Sequence, residues 1–263
     1  MKPTQTGFTL VEIAIVLLIV TILLGFSVAM FPLQKELKQY RSVEIEMDSV
    51  IEHLIAFAQV NGRLPCPDTS TDVDLSGNTI DGEEDRVATN ECEAYFGFLP
   101  ARTLGLNGKY NAAGVMVDPW DSGYGYAVSN FNAGTPGNPD IHLVTPNGIR
   151  DEGMANVMPD LFICDDSPNL GNDLDCSATV NGAESGDVLG ANGAVAAVII
   201  SLGKDSDIPA TSKIQAENLD DFNNGRLDKV YIFSPRRDDY DDIVRWIPTN
   251  LLFSKMIEAD QLP

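Results

Sequence analysis

The chain has 263 residues, of which 17 are Lys or Arg and 39 are Asp or Glu, so its formal net charge is −22. This excess of negative charge argues against nucleic-acid binding driven by release of counterions from phosphates, and it favours a solvated acidic surface and calcium as a ligand. Only two histidines are present, His53 and His142; they lie far apart in the sequence, which makes a His-rich transition-metal site a poor interpretation.

An apolar run extends from Phe8 to Phe31, and Glu12 is its only charged residue. At about 24 residues the run is long enough to cross a bilayer, and a carboxylate at the bilayer centre costs roughly 2.5 to 3.5 kcal/mol. A secretory signal peptide has a shorter apolar region, and a plain single-pass anchor offers no reason for Glu12. A third interpretation is a short leader, residues 1–7, that is cut off before the run.

The segment Gly7-Phe8-Thr9-Leu10-Val11-Glu12 resembles the processing site of type IV prepilins and type II secretion pseudopilins. The resemblance implies that a membrane prepilin peptidase cuts after Gly7 and N-methylates Phe8. It also implies that Glu12 pairs with the terminal ammonium of a neighbouring subunit, which would relieve the cost of both charges in hydrocarbon. We therefore expect a prepilin leader over residues 1–7 and a transmembrane and assembly helix over residues 8–31.

Two signals conflict on the orientation of the chain in a membrane. Lys35, Lys38 and Arg41 follow the apolar run and only Lys2 precedes it, so a count of positive charges places the C-terminal part in the cytoplasm. The processing motif and the cysteines favour the opposite arrangement, a single pass of the inner membrane with a cytoplasmic N-terminus and a periplasmic head. The chain would later move into a pilus or pseudopilus.

Residues 32–61 predict an amphipathic helix, with a kink at Pro32 and a stop at Asn61-Gly62. A long helix whose second half packs on a globular head is also the shape of pilins. The resemblance thus implies an α+β, pilin-like fold with an antiparallel β-sheet head over residues 62–263. A coiled-coil stalk is the alternative for residues 33–60. The apolar stripe is spaced by three and four residues and consists of Leu33, Leu37, Tyr40, Val43, Met47, Val50, Leu54 and Phe57.

Four cysteines, Cys66, Cys92, Cys164 and Cys176, indicate up to two disulfides in an oxidising compartment. Three pairings are possible. We favour Cys66–Cys92 and Cys164–Cys176, because each bond would close a polar loop. Residues 68–93 are interpreted as a long loop, and residues 146–193 as a large loop insertion.

Four apolar segments predict strands of the head, and a helix with a capped N-terminus is predicted to close the chain. The strands are 141–144, 194–203, 229–233 and 243–247, and the helix covers 249–259. The segment Asp118-Pro119-Trp120-Asp121 resembles the turn that enters the first head strand of major pseudopilins, with Asp121 where those proteins usually have glycine.

The segment from Ser201 to Asp207 resembles the calcium-binding loop of major pseudopilins, which implies calcium as the cofactor. Carboxylate and carbonyl oxygens are the ligands that calcium needs. Two differences weaken the match: Ser206 stands where glycine is usual, and the Lys204 ammonium could fill the site instead. The candidate ligands are Asp205, Asp207, Asp238, Asp239, Asp241 and Asp242.

The resemblance implies a structural subunit, and the large head implies a minor one, of a type IV pilus or a type II secretion pseudopilus. Its partners would be prepilin peptidase, other pilin or pseudopilin subunits and the inner membrane, and no enzymatic activity or nucleic acid is expected. The alternative is a membrane-anchored periplasmic enzyme or binding protein. The sequence has no Gly-x-Ser-x-Gly, His-Glu-x-x-His or phosphate-loop motif. Because carboxylates are abundant, the sequence does not exclude a pair of catalytic carboxylates of the kind that glycosidases use.

Overall fold

The computed structural model describes residues 7, 9–69, 81–131, 143–165, 194–205, 215, 218, 229–237 and 239–262, with the backbone alone for 26–33, 194 and 205. The chain divides into two compact units, Met1–Ser42 and Val43–Pro263. The first unit contains the start of helix α1, and the second contains its end together with the β-rich head.

Helix α1 covers Leu10–Asn61, and the helix continues through Pro32. It ends at the predicted Asn61-Gly62 stop. Gly62 has φ +65°, and its N–H donates to the carbonyl of Ala58 at 2.8 Å. A Cβ at Gly62 would lie 2.6 Å from Cα of Asn147, so both the backbone conformation and the close approach of a neighbouring chain segment require glycine here.

The second unit buries one face of α1. Val43, Met47, Val50 and Leu54 are fully buried and follow the predicted spacing of three and four residues. Burial of each large apolar side chain contributes roughly 1.5 to 3 kcal/mol. The amphipathic stripe is therefore confirmed over this part of α1, and the face packs within the head, which favours sheet packing over the coiled-coil alternative.

The remaining elements are short. In chain order they are β1 (Arg86–Ala88), β2 (Glu91–Cys92), β3 (Phe96–Phe98), β4 (Lys109–Tyr110), β5 (Met116–Val117), β6 (Gly125–Val128), α2 (Gly148–Glu152), β7 (Leu161–Asp165), β8 (Ala194–Ser201), a 3-10 turn (Gly203–Asp205), β9 (Val230–Phe233), β10 (Ile243–Pro248) and α3 (Thr249–Glu258).

Strand β8 is the centre of a six-stranded sheet. It pairs antiparallel with β6 along residues 197–200, with β7 at residues 194–195 and with β10 along residues 195–201. Strand β3 adds to β6, and β9 adds to β7. The described side chains of β8 are fully buried, which explains its continuous apolar sequence and confirms it as a central strand.

The expectation of an antiparallel sheet is wrong for one pair, because β7 and β9 run parallel, with Cys164 opposite Ile232. The interpretation of residues 146–193 as loop is also wrong in part, since the segment contains α2 and the sheet strand β7. A five-residue strand between polar segments gives too short a periodic signal to be separated from a loop.

Two smaller expectations also fail. Leu143 and Val144 form a turn, not a strand, and the carbonyl of Leu143 accepts from the N–H of Leu64 at 2.7 Å; residues 141–142 lie outside the described residues. Helix α3 begins at Thr249 as predicted, but its N-cap position is Pro248 and has no side-chain cap.

Polar contacts tie α1 to the sheet within the second unit. The hydroxyl of the buried Tyr124 donates to Oε2 of Glu46 at 2.6 Å. Arg245 on β10 donates to Glu44 at 3.1 Å and to Asp48 at 3.4 Å. Because these contacts join residues far apart in sequence, they set the register of α1 on the head.

Candidate functional site

Thr9 and Glu12 form a hydrogen-bonded box at the start of α1. The N–H and the hydroxyl of Thr9 each donate to Oε2 of Glu12 at 2.9 Å, and the N–H of Glu12 donates to the Thr9 hydroxyl at 3.3 Å. Since α1 begins at Leu10, Thr9 is the N-cap residue and Glu12 is the third helical residue. This arrangement is a capping box, in which the two residues satisfy each other's free backbone N–H groups.

The capping box changes the interpretation of Glu12. A plain membrane anchor gives no reason for a charge at Glu12, whereas the Thr9-x-x-Glu12 spacing is itself a recognised helix-start signal. A negative side chain in the first turn also interacts favourably with the helix dipole. Glu12 therefore has a role within its own chain, in addition to any contact with a neighbour.

Gly7, the residue before the predicted cleavage point, has a described position. Gly7 is exposed, and no heavy atom lies within 4 Å of the position a Cβ would take. Phe8, the predicted methylation site, lies outside the described residues. An exposed backbone of this kind is accessible to a peptidase.

The apolar side chains of the first part of α1 are exposed, from Val20 at 42% to Leu10 at 86%. A contiguous apolar surface of this kind marks contact with lipid or with another chain. Across the part of the chain that the structure describes, no helix meets the combined length and hydropathy needed to cross a membrane.

The structure contains the Cys66–Cys92 disulfide that the sequence analysis favours. It joins the chain leaving α1 to β2. Cys164, on β7, is disulfide-bonded too. Its preferred partner, Cys176, lies outside the described residues.

Two buried carboxylates, Asp68 and Asp85, lie within the chain segment that the Cys66–Cys92 bond closes. Oδ2 of Asp68 accepts from the N–H of Gly82 at 2.7 Å, and Oδ2 of Asp85 accepts from the N–H of Thr69 at 2.6 Å. Asp68 is 1% exposed. Its pKa is raised to about 7, mainly by burial; the Gly82 N–H lowers the pKa, and the nearby charges of Asp85 and Asp81 raise it.

A third carboxylate, Glu84, has a pKa shift opposite to that of Asp68. Its side chain forms a bidentate ion pair with Arg63, at 2.6 and 2.7 Å, and accepts from the N–H of Cys66. Burial alone would raise the pKa of Glu84, but the hydrogen bonds and charge of Arg63, with the Cys66 N–H and the Arg86 charge, hold it below its usual value.

The turn at Asp118 contacts Ser201, the last residue of β8. Oδ1 of Asp118 accepts from the N–H groups of Trp120 and Ser122, and its Oδ2 accepts from the hydroxyl of Ser201 at 2.7 Å. Burial raises the pKa of Asp118 despite these bonds. Asp121 has φ +72°, so its backbone is in the left-handed conformation. Glycine adopts this conformation without strain, which explains why glycine is usual at this position in the similar turn of major pseudopilins.

The candidate calcium ligands with described side chains face different partners. Oδ2 of Asp241 accepts from the N–H of Lys204 at 2.7 Å, Asp239 pairs with Arg237 at 2.8 Å, and Asp242 accepts from Asn218 at 2.9 Å. Asp205 has only its backbone described, and Asp207 and Asp238 lie outside the described residues. Within the described ranges, no three His, Cys, Asp or Glu side chains come together in a way that could hold a metal ion. Calcium binding stays a prediction.

The comparisons with known proteins agree with the motif at the N-terminus. Residues 2–28 carry the prokaryotic N-terminal methylation motif. It is the processing signal of type IV pilin and pseudopilin precursors, and the match includes Gly7, Phe8 and Glu12. No curated protein and no solved structure is significantly similar to the chain. The similarity to a known family is therefore limited to the N-terminal segment, residues 2–28. The head, with its mixed parallel and antiparallel sheet, matches no family model in this comparison.

Proposed function

We propose that the chain is a structural subunit, and a minor one, of a type IV pilus or a type II secretion pseudopilus. The observation that carries the proposal is the methylation motif over residues 2–28, which includes the start of α1, where the apolar side chains are exposed. The motif points to a structural protein rather than to an enzyme. The large disulfide-bonded head supports the minor role, because it goes beyond what polymerisation through α1 requires.

In this proposal residues 8–31 insert into the inner membrane, with the N-terminus in the cytoplasm and the head in the periplasm. Prepilin peptidase then cuts after Gly7 and methylates the new N-terminus at Phe8. The exposure of Gly7 is consistent with access by the peptidase. The disulfides suit the oxidising periplasm.

Glu12 has two successive partners in this scheme. Before cleavage its carboxylate accepts from Thr9 in the capping box. After cleavage a new ammonium exists at Phe8, and Glu12 of one subunit pairs with the ammonium of another as the apolar helices pack together. In hydrocarbon each unpaired charge is costly, so the pair selects one axial register.

Processing is tested by co-expressing the full chain with a prepilin peptidase and measuring the intact mass. We expect the mass of residues 8–263 plus one methyl group. Gly7→Val should abolish the cut. Gly25→Val is the matched control, because a Cβ at Gly25, like one at Gly7, would have no described heavy atom within 4 Å. We expect the Gly25→Val chain to be cut normally. An uncut wild-type chain would favour the membrane-anchored enzyme or binding protein instead.

Calcium binding by the head is a separate proposal, on the loop after β8 and the acidic run before β10. These two segments are in contact, because Oδ2 of Asp241 accepts from the Lys204 N–H at 2.7 Å. Isothermal titration of the chelator-treated protein with calcium decides the question. Heat of binding together with a rise in melting temperature supports a site, and their absence removes the proposal.

A further inference from the structure

Three basic residues follow the apolar run of α1 within two helical turns. They are Lys35, Lys38 and Arg41, and the side chains of all three are exposed. Glu36 is the only acidic residue in residues 13–43. This short segment of the helix is therefore cationic, although the whole chain has a formal net charge of −22.

Within the part of the chain that the structure describes, none of these three cations forms an ion pair with a carboxylate. Several cations of the head do form such pairs, namely Arg63 with Glu84, Lys109 with Asp121, Lys229 with Asp160 and Lys255 with Glu258. The three cations of α1 therefore differ from those of the head, because their charge is available to an anionic partner outside the described chain.

The spacing of the three cations places them on one side of the helix. A step of three residues falls about 60° short of a full turn, so Lys35, Lys38 and Arg41 span an arc of about 120°, and Glu36 lies outside it. Side chains of a helix incline towards its N-terminus. The three cations thus form one basic patch that is inclined towards the end of the apolar run.

The distance of the basic patch from the apolar run matches the depth of lipid head groups. At 1.5 Å per residue, the Cα atoms of Lys35, Lys38 and Arg41 lie about 6, 11 and 15 Å beyond Phe31. The polar layer on each side of a bilayer is about 5 to 7 Å thick. Lys35 falls within this layer, and the long side chains of Lys38 and Arg41 extend back towards it.

We propose that the basic patch binds the head groups of anionic phospholipids and so fixes the depth of α1 in the bilayer. This inference rests on one part of the proposed function, the insertion of residues 8–31 into the membrane. Each Lys or Arg close to an anionic bilayer strengthens binding about fivefold. An anionic surface repels the acidic remainder of the chain, so the contact is confined to the basic patch.

The contact also gives the three cations a role in the proposed orientation. With the N-terminus in the cytoplasm, the basic patch faces the periplasmic leaflet, which is the side where a count of positive charges does not expect it. Binding to anionic lipids there would hold the subunit in the bilayer until it is drawn into a fibre.

The test uses the full chain in bilayer nanodiscs of phosphatidylcholine with phosphatidylglycerol as the minor lipid. Trace amounts of either lipid carry a photoactivatable group near the head group, and mass spectrometry locates the crosslinks. In the wild type we expect the phosphatidylglycerol probe to label residues 34–42 about fivefold more than the phosphatidylcholine probe. High salt should reduce this preference.

The triple variant Lys35→Gln/Lys38→Gln/Arg41→Gln keeps good helix-forming residues and should lose the preference. The matched control is Lys109→Gln/Arg150→Gln/Lys255→Gln, which removes the same charge from exposed side chains of the head and should keep it. A third probe, with the reactive group in the acyl chain of phosphatidylcholine, should label residues 8–31 in every chain.

Equal labelling of residues 34–42 by the two head-group probes in the wild type overturns the inference, and so does an equal loss of preference in the control. If the acyl-chain probe still labels residues 8–31, this inference alone fails. If that probe does not label them, membrane insertion fails and the inference fails with it. Loss of self-association in the triple variant, with no lipid preference in the wild type, would assign the basic patch to the acidic surface of a second copy and overturn the inference.

Discussion

Asp68 should make the head less stable as the pH rises from acidic to neutral. It is 1% exposed, and burial raises its pKa from 3.8 to about 7. The folded head therefore holds the Asp68 proton more tightly than the unfolded chain does. Its contribution to stability is complete below about pH 4 and is lost as the pH rises through about 7.

The magnitude follows from the size of this shift. Each pH unit between the unfolded and folded pKa values changes the free energy of unfolding by about 1.4 kcal/mol. The isoelectric point near 4.2 makes the lower end of the range unsuitable for solution work. Between about pH 5 and pH 8 the remaining interval of about two units corresponds to about 3 kcal/mol.

The assay is urea unfolding of the full chain in detergent at several pH values, compared with Asp68→Asn. The amide keeps the shape and can still accept from Gly82, but it does not titrate. The wild type should lose about 3 kcal/mol relative to the variant from pH 5 to pH 8. Asp151→Asn, an exposed carboxylate on α2, should leave the wild-type profile unchanged. A constant difference between wild type and Asp68→Asn across this range would refute the reasoning.

Two further predictions concern the disulfide and the loop after β8. Cys92→Ser should lower the free energy of unfolding by about 3 kcal/mol, because the lost bond closes a loop with a sequence separation of 26; an equal stability of the wild type in reducing and oxidising buffer would contradict it. Gly203→Ala should cost more than Gly105→Ala in thermal unfolding, since both have positive φ, +68° and +65°, but only at Gly203 would a Cβ lie 2.6 Å from Asp241. Equal costs would show that the contact with Asp241 is unimportant and that backbone strain alone matters.

The sequence predicted the elements with strong local signals. The buried stripe of α1, its stop at Gly62, the central strand β8 and helix α3 all depend on periodicity or on a single conformational requirement. The pairing of Cys66 with Cys92 was preferred because it closes a polar loop. The segment that this bond closes contains Asp68 and Glu84, whose raised and lowered pKa values arise from tertiary contacts and have no local signal in the sequence.

Features that depend on pairing between distant segments could not be predicted from such local signals. β7 is five residues long, and its parallel partner β9 lies more than sixty residues further along the chain. Asn218 is an ordinary polar residue in the sequence, and its hydrogen bonds with the backbone of Ile232 form only in the folded head. The Thr9–Glu12 box is different, because its spacing of three residues is a local signal that the sequence itself contains.

The most direct test of the proposed function is the composition of sheared fibres from the cells that make this protein, compared among wild type, Glu12→Ala and Thr9→Val. Thr9→Val removes the hydroxyl of the capping box and keeps the Glu12 carboxylate. All three chains should be cut after Gly7 and found in the membrane fraction. The wild type and Thr9→Val should be present in the fibres, and Glu12→Ala should be absent from them. Wild-type chains absent from every fibre, or Glu12→Ala present at the wild-type level, would contradict assembly through Glu12.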